Sequence, residues 1–360
     1  MEPTSPEPPA ACRPPEASAA DPAVDPTTAP GFSSGRRPSV QSAVLSRALR
    51  LGLRPIVHRL PGHPVGIRTA RTAVEAASLL VGHHPGTRVR GVRIPLEDAD
   101  GDGRHLAGEL LVPEKGQVGD AAVLYLHGGG YIICSPRSHR PITSRLAVDT
   151  QLPVFVPHYR LLPEHPFPAP LEDALAAYRW LLEEGYPASR IVIAGDSAGG
   201  HLAASLTGEI CRTGLPTPAG LVLYSPWVDL TCELSLEYDA QVRDAYLSAH
   251  TVRRIGRLVM GQAELNDPRL ALLECSWNGV PPVLIQVGGA EALRPEAERL
   301  AAALTEAGTD CRLQVWEGQF HVFQLLNRFL PEARAAMDET ARFIRSVLTD
   351  PTASGSGAVA

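Results

Sequence analysis

From about residue 121 onward, short apolar runs alternate with amphipathic segments, and this alternation limits the possible folds more than any other feature of the sequence. The runs are apolar along their whole length, which is typical of strands that are buried on both faces. They read AAVLYLH, LPVFVPHY, RIVIAG, AGLVLYSP, PPVLIQVG and CRLQVWEG. Strands of this kind, separated by helices, form a mostly parallel sheet with helices on both faces. We therefore predict an α/β protein with a mostly parallel central sheet.

The segments before and between these runs indicate how the domain is organised. Two amphipathic patterns, QSAVLSRALRLGL and IRTARTAVEAASLLVG, predict helices, and TRVRGVRIPL with HLAGELLVPE predicts an antiparallel β-hairpin. Residues 231–279 contain a helical pattern but no convincing strand. We predict one folded domain at residues 39–348, to which residues 39–84 and 231–279 contribute a cap. Residues 1–38 contain ten of the chain's 34 prolines, so we expect them to be disordered, as we do the tail at residues 349–360.

Charge and composition exclude several classes of function. The formal net charge of −6 is spread along the chain without a basic block, so we expect neither nucleic-acid binding nor stable membrane association. The six cysteines are scattered without zinc-binding spacing, and we predict no metal site. Because we find neither a signal-peptide pattern nor a membrane-spanning run, we expect a cytoplasmic protein. The oligomeric state stays open, a homodimer included.

The stretch Gly195-Asp196-Ser197-Ala198-Gly199 fits the G-x-S-x-G pattern, which presents a nucleophilic serine on a strained turn between a strand and a helix. An apolar run precedes it and a helical pattern follows it, which is the context that the pattern requires. The alternative role of Ser197 is that of a helix N-cap. A nucleophilic serine also needs a base and a site for the oxyanion, so other parts of the chain have to supply both.

Candidate partners follow the serine along the chain in the order expected for this fold, first an acid and then a histidine. His321 comes after the turn that ends the last apolar run, and we predict it to be the base. His201, one helical turn after the serine, is the alternative. Glu291 stands just after the run PPVLIQVG, where a carboxylate can orient the imidazole. Glu296 and Asp229 are the alternative acids.

A glycine-rich loop, YLHGGGY, follows the first apolar run. Its glycines Gly128, Gly129 and Gly130 let backbone N–H groups approach a substrate oxygen without a side chain in the way, which predicts an oxyanion hole. Three aromatic residues near these motifs are candidates for lining the substrate pocket, and a core role is equally open for them: Tyr131, Trp227 and Phe320.

Together, LHGGGY, YRLLPEHPFPAPLEDA, AGDSAGG, SPWVDL and GQFHVF resemble motifs of the hormone-sensitive-lipase-like family of α/β-hydrolases, especially its bacterial esterases. The resemblance extends from about residue 85 to residue 347. It implies an α/β-hydrolase fold with a helical cap over the site. It also implies a catalytic triad of Ser197, His321 and Glu291. The acid departs from the family pattern, because many relatives have aspartate where this chain has glutamate.

The resemblance implies roles for further residues. The N–H group of Ala198 would join those of the glycine-rich loop in the oxyanion hole, and Asp196 would be structural. Cys134 stands where the family often has glycine, which would narrow the site. Nothing near Cys134 in the sequence would depress its pKa, so we do not expect a reactive thiol.

The function implied by the resemblance is that of a serine carboxylic ester hydrolase. Its substrates would be small-molecule esters with short to medium acyl chains, and it would need no metal and no organic cofactor. Hydrolysis of lactones, or deacetylation of small molecules by the same mechanism, is the alternative. A ligand-binding receptor that has lost turnover is the alternative from another class. The presence of both Ser197 and His321 argues against a receptor.

Overall fold

The computed structural model describes most of the chain between residues 32 and 349. The described ranges are 32–33, 37–59, 63–80, 82–96, 103–115, 119–242, 244–261 and 267–349. Most of residues 1–38, and all of the tail after residue 349, lie outside the described residues.

The central sheet contains nine strands within the described ranges. In chain order they are β1 (Phe32–Ser33), β2 (Thr87–Pro95), β3 (His105–Pro113), β4 (Ala122–Leu126), β5 (Val154–Pro157), β6 (Ile191–Asp196), β7 (Gly220–Tyr224), β8 (Val283–Gly288) and β9 (Cys311–Trp316). Their order across the sheet is β1-β9-β8-β7-β6-β4-β5-β3-β2. Neighbours from β1 to β5 in this order are parallel, whereas β3 pairs antiparallel with β5 and with β2. The predicted mostly parallel sheet is confirmed, and the β-hairpin expected before it is present.

Ten α-helices accompany the sheet in the described part of the chain. They are α1 (Val40–Gly52), α2 (Arg54–His58), α3 (Pro64–Ser78), α4 (Arg140–Thr150), α5 (Ala169–Glu183), α6 (Ala198–Thr213), α7 (Glu233–Asp239), α8 (Ala249–Met260), α9 (Arg294–Glu306) and α10 (Pro331–Thr349). The described residues of segment 231–279 form α7 and α8 and contain no strand, as the sequence indicates. None of the helices within the described ranges combines the length and apolar character needed to cross a membrane.

Alternate residues of each central strand enter two different hydrophobic layers. In β4, Leu124 and Leu126 pack on one side of the sheet with Leu202 of α6, whereas Val123 and Tyr125 pack on the other side. The first layer also contains side chains of α5 and α9, and the second contains side chains of α4 and α10. Helices thus cover both faces of the sheet, which explains why the strands are apolar throughout.

The short strand β1 departs from the expectation for residues 1–38. Phe32 and Ser33 pair in parallel with Gln314 and Val315 of β9, so these two residues have a defined place at the edge of the sheet. An added strand supplies hydrogen-bond partners to backbone groups that an edge strand otherwise leaves unpaired. The rest of that expectation concerns residues outside the described ranges, apart from residues 37 and 38.

Helix α3 is attached to the α/β core by Arg71. Its guanidinium donates to the carbonyl oxygens of Ile132 at 3.0 Å and Leu162 at 2.6 Å, and to the carboxylate of Glu164 at 3.0 Å. Arg68 binds the other oxygen of Glu164 at 2.8 Å, but its side chain is 65% exposed. Burial raises the pKa of Glu164, yet the hydrogen bonds from both arginines outweigh burial and lower this pKa to about 2. The carboxylate is therefore charged at neutral pH.

We expect Arg71→Ala to lower the free energy of unfolding by about 2 kcal/mol, because it removes the donor from two carbonyl oxygens and a carboxylate. Arg68→Ala is the matched control, since it removes an exposed arginine from the same carboxylate and should cost less than about 0.5 kcal/mol. Urea unfolding followed by circular dichroism measures both values. Equal losses for the two variants would show that Arg71 does not attach α3 in this way.

Candidate active site

Ser197 lies on the sharp turn between β6 and α6. Its φ of 52° and ψ of −121° are rare for a residue with a side chain, and its N–H donates to the carbonyl oxygen of Tyr224 at 2.9 Å. The turn is closely packed, because a Cβ atom at Gly199 would overlap the carbonyl oxygens of Leu126 and His127. The side chain of Ser197 makes no capping hydrogen bond to α6. This geometry fits the strained turn of a nucleophilic serine better than a helix N-cap.

A chain of hydrogen bonds connects Ser197, His321 and Glu291. The serine Oγ lies 2.9 Å from Nε2 of His321, and Nδ1 of the same ring lies 3.2 Å from Oε1 of Glu291. The other carboxylate oxygen of Glu291 accepts hydrogen bonds from Ser225 Oγ at 2.7 Å and from the Gly288 N–H at 2.8 Å. Glu291 is fully buried, so these donors hold its carboxylate in one orientation.

The pKa of His321 depends on the carboxylates around it. Burial lowers this pKa, but the hydrogen bond and charge of Glu291, followed by the charges of Asp244 and Asp196, raise it by more. The net direction is a pKa above the ordinary value for histidine. The imidazole is therefore well suited to accept a proton from the serine hydroxyl, because the imidazolium that results is stabilised.

The two alternative acids have other partners. Glu296 is buried and accepts hydrogen bonds from the N–H groups of Val228 and Asp229, each at 3.0 Å, and from the hydroxyl of Ser235. Burial raises the pKa of Glu296 to about 8. The carboxylate of Asp229 accepts from the hydroxyl of Thr231 at 2.6 Å. Within the described part of the chain, neither carboxylate has a hydrogen bond to His321.

His201 does not approach the serine side chain, and Tyr131 does not line the pocket. The ring nitrogens of His201 are joined to the Tyr131 hydroxyl at 2.7 Å and the Leu270 carbonyl oxygen at 3.2 Å. Burial lowers the pKa of His201 to about 4, so the ring is neutral at neutral pH. Tyr131 is fully buried, with Tyr159 and His201 as ring neighbours. Of the two roles left open for Tyr131, this packing favours the one in the core.

The other two aromatic candidates lie in different parts of the structure. Trp227 lines the pocket above Ser197, and its role in substrate binding stays a prediction. Phe320 is buried in a separate cluster with Trp316 and Phe323, away from the pocket lining. Of the two roles left open for Phe320, this packing favours the one in the core.

The three glycines of the HGGG loop are not equivalent. The N–H of Gly128 donates to Oδ1 of Asp196 at 3.0 Å, so it is not available to a substrate oxygen, and the expectation for Gly128 requires correction. The N–H groups of Gly129, Gly130 and Ala198 have no acceptor within the described ranges. Gly129 and Gly130 have φ values of 114° and 63°, and both lie in the pocket lining with the serine. Positive φ values of this kind favour glycine.

A pocket of about 180 Å³ lies over Ser197 and His321. Apolar side chains from separate parts of the chain form most of its wall: Val57 of α2, Val252 and Ile255 of α8, and also Ile132, Ile133, Trp227, Leu247 and Leu293. Cys134 also reaches the pocket, and burial raises its pKa to about 12, which fits the prediction of an unreactive thiol. A narrow apolar space next to a serine–histidine pair suits an apolar group of limited size.

Sequence reasoning missed two residues that hold the loops of Glu291 and His321, namely Asp244 and Tyr246. Asp244 is fully buried, and its carboxylate accepts the N–H groups of Ala292 at 3.0 Å, Tyr246 at 2.9 Å and Leu247 at 3.0 Å. The Tyr246 hydroxyl donates to the backbone oxygen of His321 at 2.9 Å. Burial, together with the charge of a neighbouring carboxylate, raises the pKa of Asp244 to about 6. No motif marks this segment in the sequence, because its role depends on contacts with distant loops.

The fold and the site together define a serine hydrolase of the α/β type. A model of the alpha/beta hydrolase fold family matches residues 123–325, and the chain belongs to this family. An acetyl-hydrolase of Streptomyces hygroscopicus is 40% identical over 235 residues, which cover 65% of this chain and 77% of that protein. Esterase LipU of Mycobacterium tuberculosis is 37% identical over 234 residues, which cover 62% of this chain and 77% of that protein.

Solved structures agree with this assignment. A crystal structure of an esterase from the bacterial hormone-sensitive lipase family is 32% identical and superposes with a TM-score of 0.76, covering 87% of this chain and 100% of that chain. The predicted α/β-hydrolase fold and the resemblance to the hormone-sensitive-lipase-like family are both confirmed. The expected class of enzyme, one that hydrolyses esters, is confirmed as well.

We expect Glu291→Gln to lower kcat/KM for a soluble ester on the order of 10³-fold or more, because glutamine cannot hold the imidazole in its productive tautomer. The acid limb of the pH profile should also move to lower pH. The carboxylate raises the pKa of His321, so its removal lets the ring stay unprotonated in more acidic solution. The measurement is kcat/KM against pH.

Glu296→Gln is the control for that experiment, since it removes a buried carboxylate from the first turn of α9, five residues after Glu291, and this carboxylate has no hydrogen bond to His321 in the described part of the chain. Its acid limb should coincide with that of the parent protein. If the acid limb of the pH profile moves in Glu296→Gln but stays in place in Glu291→Gln, Glu296 would be the triad acid.

Proposed function

We propose that the protein is a carboxylesterase in which Ser197 is the nucleophile, His321 the general base and Glu291 the orienting acid. The observation that carries this proposal is the continuous set of hydrogen bonds from the serine Oγ through the imidazole to the buried carboxylate. His321 accepts the hydroxyl proton while the serine oxygen attacks the ester carbonyl carbon. Collapse of the tetrahedral intermediate breaks the bond to the alcohol oxygen, which takes the proton from the imidazolium.

The second half-reaction uses the same residues. Water occupies the place of the departed alcohol and gives a proton to His321 as its oxygen attacks the acyl-enzyme. The serine oxygen then leaves and takes this proton back, which releases the carboxylic acid and restores the enzyme. Throughout both steps, the N–H groups of Gly129, Gly130 and Ala198 are the proposed donors to the oxyanion. This role is supported because the three N–H groups have no other acceptor within the described ranges.

We further propose that α1, α2 and α3 act with α7 and α8 as a cap that limits the acyl chain. Val57 of α2 and Ile255 of α8 both line the pocket, so segments far apart in the chain close the space over the serine. The small volume of about 180 Å³ favours short acyl chains, acetyl to butyryl, over long ones. An acetylated small molecule fits the same space, and the similarity to an acetyl-hydrolase supports this choice. The intact hydrogen-bonded triad counts against a receptor without turnover.

We expect Ser197→Ala to abolish hydrolysis of p-nitrophenyl acetate, because the variant has no nucleophile to form the acyl-enzyme. Ser346→Ala is the matched control on α10, where the hydroxyl only binds the carbonyl oxygen of Phe343. A fluorophosphonate probe should label the parent protein and Ser346→Ala but not Ser197→Ala, as measured by mass spectrometry. Full turnover by Ser197→Ala would refute the proposed nucleophile.

We expect kcat/KM for p-nitrophenyl esters to fall at least about tenfold from butyrate to dodecanoate, because the long chain does not fit the pocket. Ile255→Ala should reduce this ratio, since Ile255 lies in the pocket wall. Leu258→Ala is the matched control on the same helix, because Leu258 packs against the core outside that wall. A ratio that changes equally in both variants would exclude Ile255 as the residue that limits chain length.

A further inference from the structure

Exposed apolar side chains are concentrated in one segment of the chain. Ten large hydrophobic residues are exposed within the described ranges, and eight of them lie between residues 40 and 80. These eight are Val40, Val44, Leu51, Leu53, Ile56, Val65, Leu79 and Leu80. Single exposed apolar residues are ordinary on a protein surface, but a concentration of this kind marks an interaction surface.

Helix α1 has apolar residues on two opposite faces. Leu45 and Leu49 face inward and pack against the cluster that contains Phe320. Val40, Val44 and Leu51 are 77%, 64% and 73% exposed. Their spacings of four and seven residues place them in one row on the outer face, about 16 Å long. A helix that only covers a core needs one apolar face, so the outer row has no explanation in the folding of the described chain.

Helices α1 and α2 are basic. Residues 40–59 contain four arginines and no aspartate or glutamate, in a chain whose formal net charge is −6. Of these four, Arg54 has a carboxylate partner. Arg47 is exposed and lies in register with the apolar row, seven residues after Val40. The surface thus combines apolar side chains with positive charge.

This surface is connected to the active-site pocket through helix α2. Val57, on the helix that directly follows α1, lines the pocket over Ser197. Arg54 of the same helix forms an ion pair with Asp239 and donates to the backbone oxygen of Asp244. These contacts attach α2 to α7 and to the loop that contains Asp244. A partner bound to the outer row of α1 would therefore lie on the helix next to the one that lines the pocket.

We propose that the outer faces of α1 and α2 dock on the surface of an anionic phospholipid bilayer. Apolar side chains in one row enter the boundary between headgroups and acyl chains, while nearby arginines bind the anionic headgroups. Charge complementarity selects an anionic lipid surface over a second copy of this chain, because a copy would bring a second set of arginines to the same face. The proposal revises the expectation of no stable membrane association, which rested on the charge of the whole chain. It goes beyond the proposed esterase activity and does not depend on it.

The test is flotation of the full-length protein with vesicles of equimolar phosphatidylglycerol and phosphatidylcholine. We expect most of the protein to float with these vesicles and little to float with pure phosphatidylcholine. High salt should reduce binding to the anionic vesicles, because it screens the attraction. The double variant Val44→Glu/Leu51→Glu should lower the bound fraction at least about fivefold, because it places two charges in the apolar row.

Phe329→Glu is the matched control, since Phe329 is 67% exposed but lies just before α10 and outside the row. It should float like the parent protein, as should Ser197→Ala, which separates docking from turnover. Hydrolysis of a soluble ester by Val44→Glu/Leu51→Glu at the parent rate shows that this variant is folded. Equal flotation of the double variant and the parent, or no flotation of the parent, would overturn the proposal. The proposal would also be overturned if the parent protein formed a dimer in the absence of vesicles and the double variant were a monomer. The face would then join two copies of the chain.

Discussion

The buried carboxylate of Asp196 joins the two turns from which the active site is built. It accepts hydrogen bonds from the Gly128 N–H at 3.0 Å and the Tyr125 hydroxyl at 2.7 Å, and lies 3.2 Å from Nε2 of His139. Burial raises its pKa, but the charge and hydrogen bonds of these neighbours outweigh burial and lower it, so the group stays ionised. A buried charge is tolerated only with such partners. The HGGG loop therefore has one position relative to Ser197, and only the N–H groups after Gly128 remain available to a substrate.

The parallel sheet brings the rest of the site together. Ser197, Glu291 and His321 follow β6, β8 and β9, whose carboxyl ends lie at one edge because the strands are parallel. This is the reason why much of the site could be predicted from the sequence: each residue stands just after an apolar run, and local patterns reveal the runs. The choice among three acids could not be made in this way. It depends on donors such as Ser225 and Gly288, which come from different strands.

Long-range packing decides between roles that the sequence leaves open for two aromatic residues. Tyr131 follows the HGGG motif and Phe320 directly precedes His321, and both positions in the sequence are compatible with a pocket or a core. The structure buries both, because Tyr131 has a hydrogen-bond partner in His201 and Phe320 packs beside Phe323. Asp244 shows the converse case. Nothing in its local pattern indicates a role, yet its carboxylate ties the loop after α7 to the residue next to Glu291.

The sequence pattern of the first helix predicts one apolar face correctly but does not reveal a second one. QSAVLSRALRLGL predicts an amphipathic helix, and its apolar residues were expected to cluster toward one side. The structure assigns Leu45 and Leu49 to the core and leaves Val44 and Leu51 outside, so the helix has two apolar faces. The net charge of the whole chain also fails to reveal local charge. A total of −6 is the sum of basic helices beside the pocket and a more acidic remainder of the chain. Exposed apolar area has a cost in water, so a second apolar face on a folded helix indicates a surface adapted to something outside the chain.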